Sequence, residues 1–136
     1  MGLFDKLFNA SSSANKGGDA AKSSGELSWI DLNTMEQLEE IKERSKTKPQ
    51  FIFKHSTRCG ISRMVMSQFK KDYQLEETAA DLYYLDLLNH RNISNAIAEQ
   101  FNVMHESPQL LVVKNGVVVK HDSHGAINNL KLETYI

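Results

Sequence analysis

The residue with the most evident chemistry is Cys59, the single cysteine of the 136-residue chain. It follows an apolar run, Phe51–Phe53, and a short polar loop, and it stands where a helical pattern begins. A cysteine in the first turn of a helix lies close to unpaired backbone N–H groups and to the positive end of the helix dipole, which favour the thiolate. A lone cysteine is more often a small buried residue, but the flanking Arg58, Gly60 and Ser62 are not typical of a core position. The sequence therefore predicts a nucleophilic thiol.

The tetrapeptide Cys59-Gly60-Ile61-Ser62 has the frame of a C-x-x-C redox motif in which a hydroxyl replaces the second thiol. Ser62 can hydrogen-bond a thiolate, but it cannot attack a mixed disulfide. Exchange at Cys59 would therefore stop at a mixed disulfide until a thiol from another molecule resolves it. The motif predicts monothiol transfer, with Cys59 and Ser62 as the catalytic pair.

The elements that must position this thiol follow from the apolar spacing, which alternates between helical and extended periods after residue 34. Helices are predicted at 34–46, 59–73, 92–101 and 127–136, and strands at 51–53, 82–88, 109–114 and 117–120. Helical spacing in the second helix predicts one apolar face made of Ile61, Met64, Val65, Phe69 and Tyr73.

The order of these elements predicts an α/β fold. Helical crossovers make the first two strands parallel, and Asn115-Gly116 is typical of a two-residue hairpin turn between the last two. The result is a four-stranded mixed sheet, two parallel strands plus a C-terminal hairpin, flanked by helices. This is the order of the thioredoxin fold.

A proline precedes the first hairpin strand, at Ser107-Pro108. Proteins of this fold place a cis-proline loop there, facing the active cysteine. We therefore expect a cis bond, and the backbone of Ser107 would pair with an extended substrate.

For other ionisable residues the sequence gives weaker evidence of a role in the site. Lys54, Arg58 and His55 would add positive potential near the thiol. Asp86, at the end of a predicted strand, is either a buried proton acceptor or an exposed carboxylate. His121 and His124 have the spacing of a metal pair but no supporting ligands, so no metal site is predicted.

Composition excludes several functions. With 16 Lys and Arg against 17 Asp and Glu, there is no general basic character to bind nucleic acid. One cysteine allows no intrachain disulfide, which suits a reducing compartment, and no apolar run is long enough for a membrane span.

The first 26 residues are predicted to be separate from the domain at 27–136. Residues 9–26 contain no large apolar side chain and are predicted to form a flexible linker. Residues 1–8 offer one short apolar helix face, which allows surface docking on a membrane or partner. The segment has no cationic cluster, however, and is too short for a stable isolated helix.

Several separated motifs together resemble the YtxJ-like monothiol bacilliredoxins, over residues 27–136. They are the run from Lys54 to Ser62, Ser107-Pro108-Gln109, the Asn115-Gly116 turn and His121-Asp122-Ser123-His124.

The resemblance implies a cytoplasmic protein that removes bacillithiol from S-bacillithiolated client proteins. Bacillithiol would be a co-substrate, and no cofactor would be tightly bound. Cys59 would be the nucleophile, Ser62 the hydroxyl at the resolving position and Pro108 the cis-proline. Arg58, Gly60, Ile61, Ser107 and Pro108 are the expected substrate-binding residues.

Two departures leave alternatives open. Gly60 stands where the family usually has proline, and Gly125 where it often has tryptophan. Cys59-Gly60-Ile61-Ser62 is also one residue from the Cys-Gly-Phe-Ser signature of monothiol glutaredoxins, which bind glutathione and an iron–sulfur cluster. A third interpretation is a thioredoxin-fold binding module with little turnover.

Deletion of residues 1–26 should leave both thiol exchange at Cys59 and the thermal midpoint of unfolding unchanged, because a linker contributes no packing. Calorimetry and an exchange assay on the truncated chain check this. A lower midpoint would show that the segment packs on the domain.

Overall fold

A computed structural model describes residues 27–136, and the predicted linker and apolar face within residues 1–26 lie outside that range. Its elements follow in the order β1 (Trp29–Asp31), α1 (Glu36–Arg44), β2 (Gln50–His55), α2 (Gly60–Asp72), β3 (Asp81–Asp86), α3 (Arg91–Gln100), β4 (Gln109–Lys114) and β5 (Val117–Ser123). Two 3₁₀ helices, His124–Asn129 and Leu132–Tyr135, end the chain.

The strands form one mixed sheet in the order β1-β3-β2-β4-β5. Strand β3 pairs in parallel with both β1 and β2, whereas β4 is antiparallel to β2 and β5. This confirms the predicted fold class and adds a fifth strand. The three-residue β1 was missed because it is too short to show a period of two.

Strand β2 lies at the centre of the sheet, and all six of its residues are buried. Its side chains alternate between the two faces, so Ile52 joins one apolar cluster while Phe51 and Phe53 join the other. Helices α1 and α3 cover the first cluster, and α2 with the 3₁₀ helices covers the second. The sheet is thus buried on both faces, as the continuous apolar run of β2 predicts.

Local signals explain where α1 begins and how the hairpin turns. Thr34 and Gln37 exchange hydrogen bonds as a capping box, with Gln37 N to Thr34 Oγ1 at 3.3 Å and Thr34 N to Gln37 Oε1 at 3.0 Å. Asn115 and Gly116 both have positive φ, as a type I′ turn requires.

The end of α1 also contacts the hairpin turn. Ser45 Oγ accepts the N–H of Gly116 at 2.8 Å, and the Ser45 carbonyl accepts that of Asn115 at 2.9 Å. Two elements far apart in sequence are therefore joined by two oxygen atoms of one residue, Ser45.

The last segment differs from the prediction. The predicted helix at 127–136 is replaced by two short 3₁₀ helices separated by Leu130 and Lys131. Ile127 and Leu132 are their buried residues, and too few apolar positions follow to form an α-helical face.

No helix within residues 27–136 has the length and apolar character needed to cross a bilayer.

A charged cluster joins the start of β3 to the segment between α1 and β2. The Asp81 carboxylate accepts hydrogen bonds from Gln50 Nε2 at 2.8 Å, Lys48 Nζ at 3.0 Å and Arg44 Nη1 at 3.4 Å. Burial alone would raise the pKa of Asp81, but the bonds from Gln50 and Lys48 outweigh it, so the pKa lies below its ordinary value. The ionised carboxylate therefore stabilises the folded state.

Asp81→Asn should lower the free energy of unfolding at pH 7 by about 1–2 kcal/mol, because the charge-assisted bonds are lost. Since the folded-state pKa lies below the unfolded value of about 3.9, the wild-type advantage is full above that pH and disappears as the pH falls through the folded-state pKa. Urea unfolding at pH 7 and at acid pH measures both quantities, and a pH-independent difference would contradict the assignment.

Candidate active site

Cys59 occupies the N-cap of α2, directly after the loop that ends β2. Its backbone is extended, with φ −99° and ψ 123°, and its side chain is partly exposed. The Cys59 N–H donates to the Ser56 carbonyl at 3.2 Å, and the Cys59 carbonyl accepts the Arg63 N–H at 3.0 Å, which starts the helix. A solvent-accessible thiol thus stands at the positive end of a 13-residue helix.

Ser62 is fully buried and makes two hydrogen bonds. Its Oγ accepts the N–H of Ser56 at 3.1 Å and lies 2.7 Å from Nδ1 of His55. The sequence predicted this hydroxyl as a partner of the thiolate, and the two hydrogen bonds that the structure gives it go to His55 and Ser56, before Cys59 in the chain. The loop is thereby tied to the first turn of α2.

The His55–Ser62 pair was not found from the sequence, which treated His55 only as a source of charge. The one available signal was a histidine at the end of a strand that is otherwise apolar. Burial lowers the pKa of His55 below its ordinary value, against the attraction of Asp86. A neutral imidazole at neutral pH follows from that direction.

Lys54 lies on the opposite face of β2 from His55, because successive side chains of a strand alternate. It is fully buried, and its Nζ has no hydrogen-bond partner among the described residues. Burial lowers the pKa of Lys54 to about 8, although the charge of Glu106 opposes this. The prediction that Lys54 adds potential beside Cys59 overlooked this alternation.

The Ser107–Pro108 bond is cis, as the sequence predicts. Because Lys54 pairs with Gln109, Pro108 lies at the end of β2 from which the Cys59 loop departs. The Pro108 carbonyl accepts the N–H of His124 at 3.0 Å, which ties this loop to the first 3₁₀ helix. Ser107 Oγ is buried and has no partner among the described residues.

The outer surface of α2 differs from the predicted face. Ile61 and Met64 are 57% and 73% exposed, whereas Ser62, Val65, Met66 and Phe69 face the core. Arg58 and Gly60 are also exposed, so the expected substrate-binding residues of this turn are accessible. Sequence reasoning missed Met104, which is 81% exposed in the loop before Ser107.

Asp86 is partly buried at the end of β3 and is the register partner of His55. Its Oδ2 accepts a hydrogen bond from Asn89 Nδ2 at 2.8 Å, while its buried Oδ1 has no partner among the described residues. Asp86 is thus neither fully buried nor fully exposed, and its role as a proton acceptor stays a prediction.

A sequence-family model described as monothiol bacilliredoxin BrxC matches residues 30–132. The chain belongs to the monothiol bacilliredoxin family. The match covers every strand but the first residue of β1, together with Cys59, Ser62 and Pro108.

Solved structures agree with this bacilliredoxin assignment. One described as an oxidoreductase with a thioredoxin fold shares 40% identity over 74% of this chain and 86% of its own, with a TM-score of 0.63. Thioredoxin from Trypanosoma brucei brucei shares 17% identity over 79% of this chain and 88% of its own, with a TM-score of 0.61. Thioredoxin O2 from Arabidopsis thaliana shares 21% identity over 79% and 93%, with a TM-score of 0.57, and both thioredoxins show the fold alone.

Family and fold together assign this bacilliredoxin a thiol redox role. The single cysteine of the sequence agrees with the description of this family as monothiol.

Gly60→Pro should raise the stability of the protein by about 0.4–1 kcal/mol, since proline restricts the unfolded chain. Gly60 is the first helical residue, where proline is favoured, and the extended Cys59 suits a residue before proline. A Cβ at Gly60 would meet no atom within 4 Å. Calorimetry should show a midpoint about 2–5 °C higher, and a lower midpoint would mean that the loop needs the freedom of glycine.

Proposed function

We propose that this bacilliredoxin removes bacillithiol, or a similar low-molecular-weight thiol, from mixed disulfides on client proteins. The observation that carries the proposal is the half-exposed Cys59 at the N-terminus of α2, with the hydroxyl of Ser62 at the position of a resolving thiol. Family membership supports the choice of bacillithiol over other small thiols.

In the first step, the Cys59 thiolate attacks the bacillithiol sulfur of the client mixed disulfide. The Cys59–bacillithiol S–S bond forms as the client S–S bond breaks, and the client sulfur leaves with the electron pair. The proton that Cys59 gave up on ionising balances the one that the client thiolate takes up from solvent. One disulfide is exchanged for another, so no oxidant or reductant is consumed.

In the second step, an external thiol attacks the bacillithiol sulfur and restores Cys59. Ser62 cannot perform this step, because a hydroxyl does not undergo thiol–disulfide exchange. The resolving thiol therefore comes from outside the chain, and the oxidised form accumulates whenever that thiol is scarce.

The exposed surface around Cys59 supports substrate access. Arg58 offers a positive charge to an anionic thiol, and the exposed Ile61 offers apolar contact on the first turn of α2. The Ser107–Pro108 loop at the neighbouring strand would pair with the extended backbone of a client.

Intact mass spectrometry tests the proposal. Reduced wild-type protein mixed with a bacillithiolated model client should gain the mass of bacillithiol on Cys59, with release of the free client. Cys59→Ser should gain none, and wild-type protein alkylated beforehand with iodoacetamide is a matched control in which the sequence is unchanged.

A glutathionylated client run in parallel separates the alternatives. Faster transfer of glutathione would favour the glutaredoxin-like function, and no transfer of either thiol would leave a binding module. Transfer to Cys59→Ser would end the proposal.

A further inference from the structure

The hydrogen bond between His55 and Ser62 is the most enclosed polar contact beside Cys59. The two side chains are 6% and 0% exposed, and His55 Nδ1 lies 2.7 Å from Ser62 Oγ. The aromatic rings of Phe53 and Tyr84 pack on the imidazole, with centroids at 6.4 and 5.8 Å. A hydrogen bond that is shielded from solvent in this way is electrostatically stronger than one in water.

Ser62 has a single proton to donate. Its Oγ already accepts the N–H of Ser56, so the direction of the His55 bond decides where the hydroxyl proton points. If Nδ1 is unprotonated, Ser62 donates to it. If Nδ1 carries a proton, His55 donates to Ser62, and the hydroxyl proton becomes available to another acceptor.

Cys59 is the acceptor within the same helical turn. It is the N-cap of α2 and Ser62 is the third helical residue, so the two occupy the first and last positions of the C-x-x-C frame, whose side chains lie close enough for a disulfide in dithiol proteins. A hydroxyl released by His55 therefore lies in the turn that carries the thiol.

Charged groups face His55 from β3 and from α2. Asp86 on β3 attracts a proton to the ring, whereas Lys70 and Arg63 on α2 oppose it. Nδ1 lies toward Ser62, so a neutral ring protonated on Nε2 accepts the Ser62 hydroxyl proton, whereas one protonated on Nδ1 donates to Ser62. Burial is the largest influence and favours a neutral ring.

Solvent reaches the imidazole through a cavity that Cys59 does not line. This cavity of about 300 Å³ is lined by Trp29, Asp31, His55, Met66, Lys70 and Tyr84. Asp31 on β1 adds a carboxylate to this cavity. A proton can therefore be exchanged between water and His55 without passing the thiol.

We propose that His55 is a positioning residue of the exchange reaction, which acts through Ser62. Neutral His55 accepts the Ser62 hydroxyl proton and holds it away from Cys59, and protonated His55 releases it toward the Cys59 sulfur. The inference rests on the proposed function, in which Cys59 is the nucleophile.

At neutral pH, therefore, the Cys59 thiolate receives no hydrogen bond from Ser62 during exchange. Sulfur without that donor attacks a disulfide faster, because hydrogen bonding lowers its nucleophilicity. As the pH falls through the titration of His55, the released hydroxyl stabilises the thiolate and preserves part of its population.

Alkylation of Cys59 by iodoacetamide, followed by mass spectrometry from pH 5 to 8, tests this without any disulfide substrate. His55→Gln keeps a side-chain acceptor but does not titrate, and His121→Gln, on an exposed histidine of β5, is the matched control. The ratio of wild-type to His55→Gln rate should rise roughly threefold to tenfold as the pH falls below 6.5. The ratio for His121→Gln should stay constant.

Repeating the comparison in the Ser62→Ala background separates a relay through Ser62 from the bare charge of His55. The pH dependence of the ratio should be lost there, and its persistence at full size would overturn the proposal. With Ser62 intact, a ratio of wild-type to His55→Gln alkylation rates that does not change with pH would also overturn the proposal.

Nitrogen-15 NMR of the folded wild-type protein gives a second readout that needs no variant to be stable. At pH 7.5 His55 should carry its proton on Nε2, with Nδ1 as acceptor, and a proton on Nδ1 would overturn the proposal. Since neither measurement involves bacillithiol, a failed transfer reaction would count against the proposed function and not against this assignment.

Discussion

The burial of β2 between two layers of helices is the constraint on which the remaining structure depends. Every residue of this strand is buried, and it pairs with β3 on one side and β4 on the other. Because β3 runs parallel to it and β4 antiparallel, the ends of β2 and β3 and the beginning of β4 meet at one edge of the sheet. That edge receives Cys59 after β2, Asp86 at the end of β3 and Pro108 before β4. The reactive thiol thus lies where three backbone segments converge.

Much of this could be predicted because the core elements follow simple periods. Helical spacing located α1, α2 and α3, and the Asn115-Gly116 turn located the hairpin. The position of Cys59 at a helix start followed from its place between an apolar strand and a helical pattern. Roles of the substrate-binding residues stay predictions, since no bound substrate is described.

The errors have a common physical cause, which is polar residues at buried positions. Hydrophobic periodicity gives no signal that Ser62 and Lys54 are core residues, yet both are fully buried. The predicted apolar face of α2 included Ile61 and Met64, whereas both are exposed. Ser62 is tolerated inside because His55 and Ser56 satisfy its hydroxyl. Such pairing arises from the three-dimensional arrangement and has no local sequence period.

The two faces of the sheet differ in how their polar groups are satisfied near the thiol. On the α2 face, His55 and Ser62 pair with each other. On the other, Lys54 Nζ and Gln109 Oε1 lie on directly paired residues of β2 and β4 without partners among the described residues. Unpaired buried groups cost about 1–3 kcal/mol each. The end of β2 that leads to Cys59 therefore carries a local cost in stability on one of its two faces.

The bonds between Ser45 and the hairpin turn have a consequence for the order of folding. A type I′ hairpin such as β4–β5 can close by itself within microseconds. Its turn is held by Ser45 only after α1 has docked, and that contact spans 71 residues of chain. Closing so long a loop has a larger entropic cost than forming the hairpin. The hairpin turn therefore forms early, but Ser45 fixes it late. Chain collapse must bring the first and last thirds of the domain together before β5 becomes fully protected from hydrogen exchange.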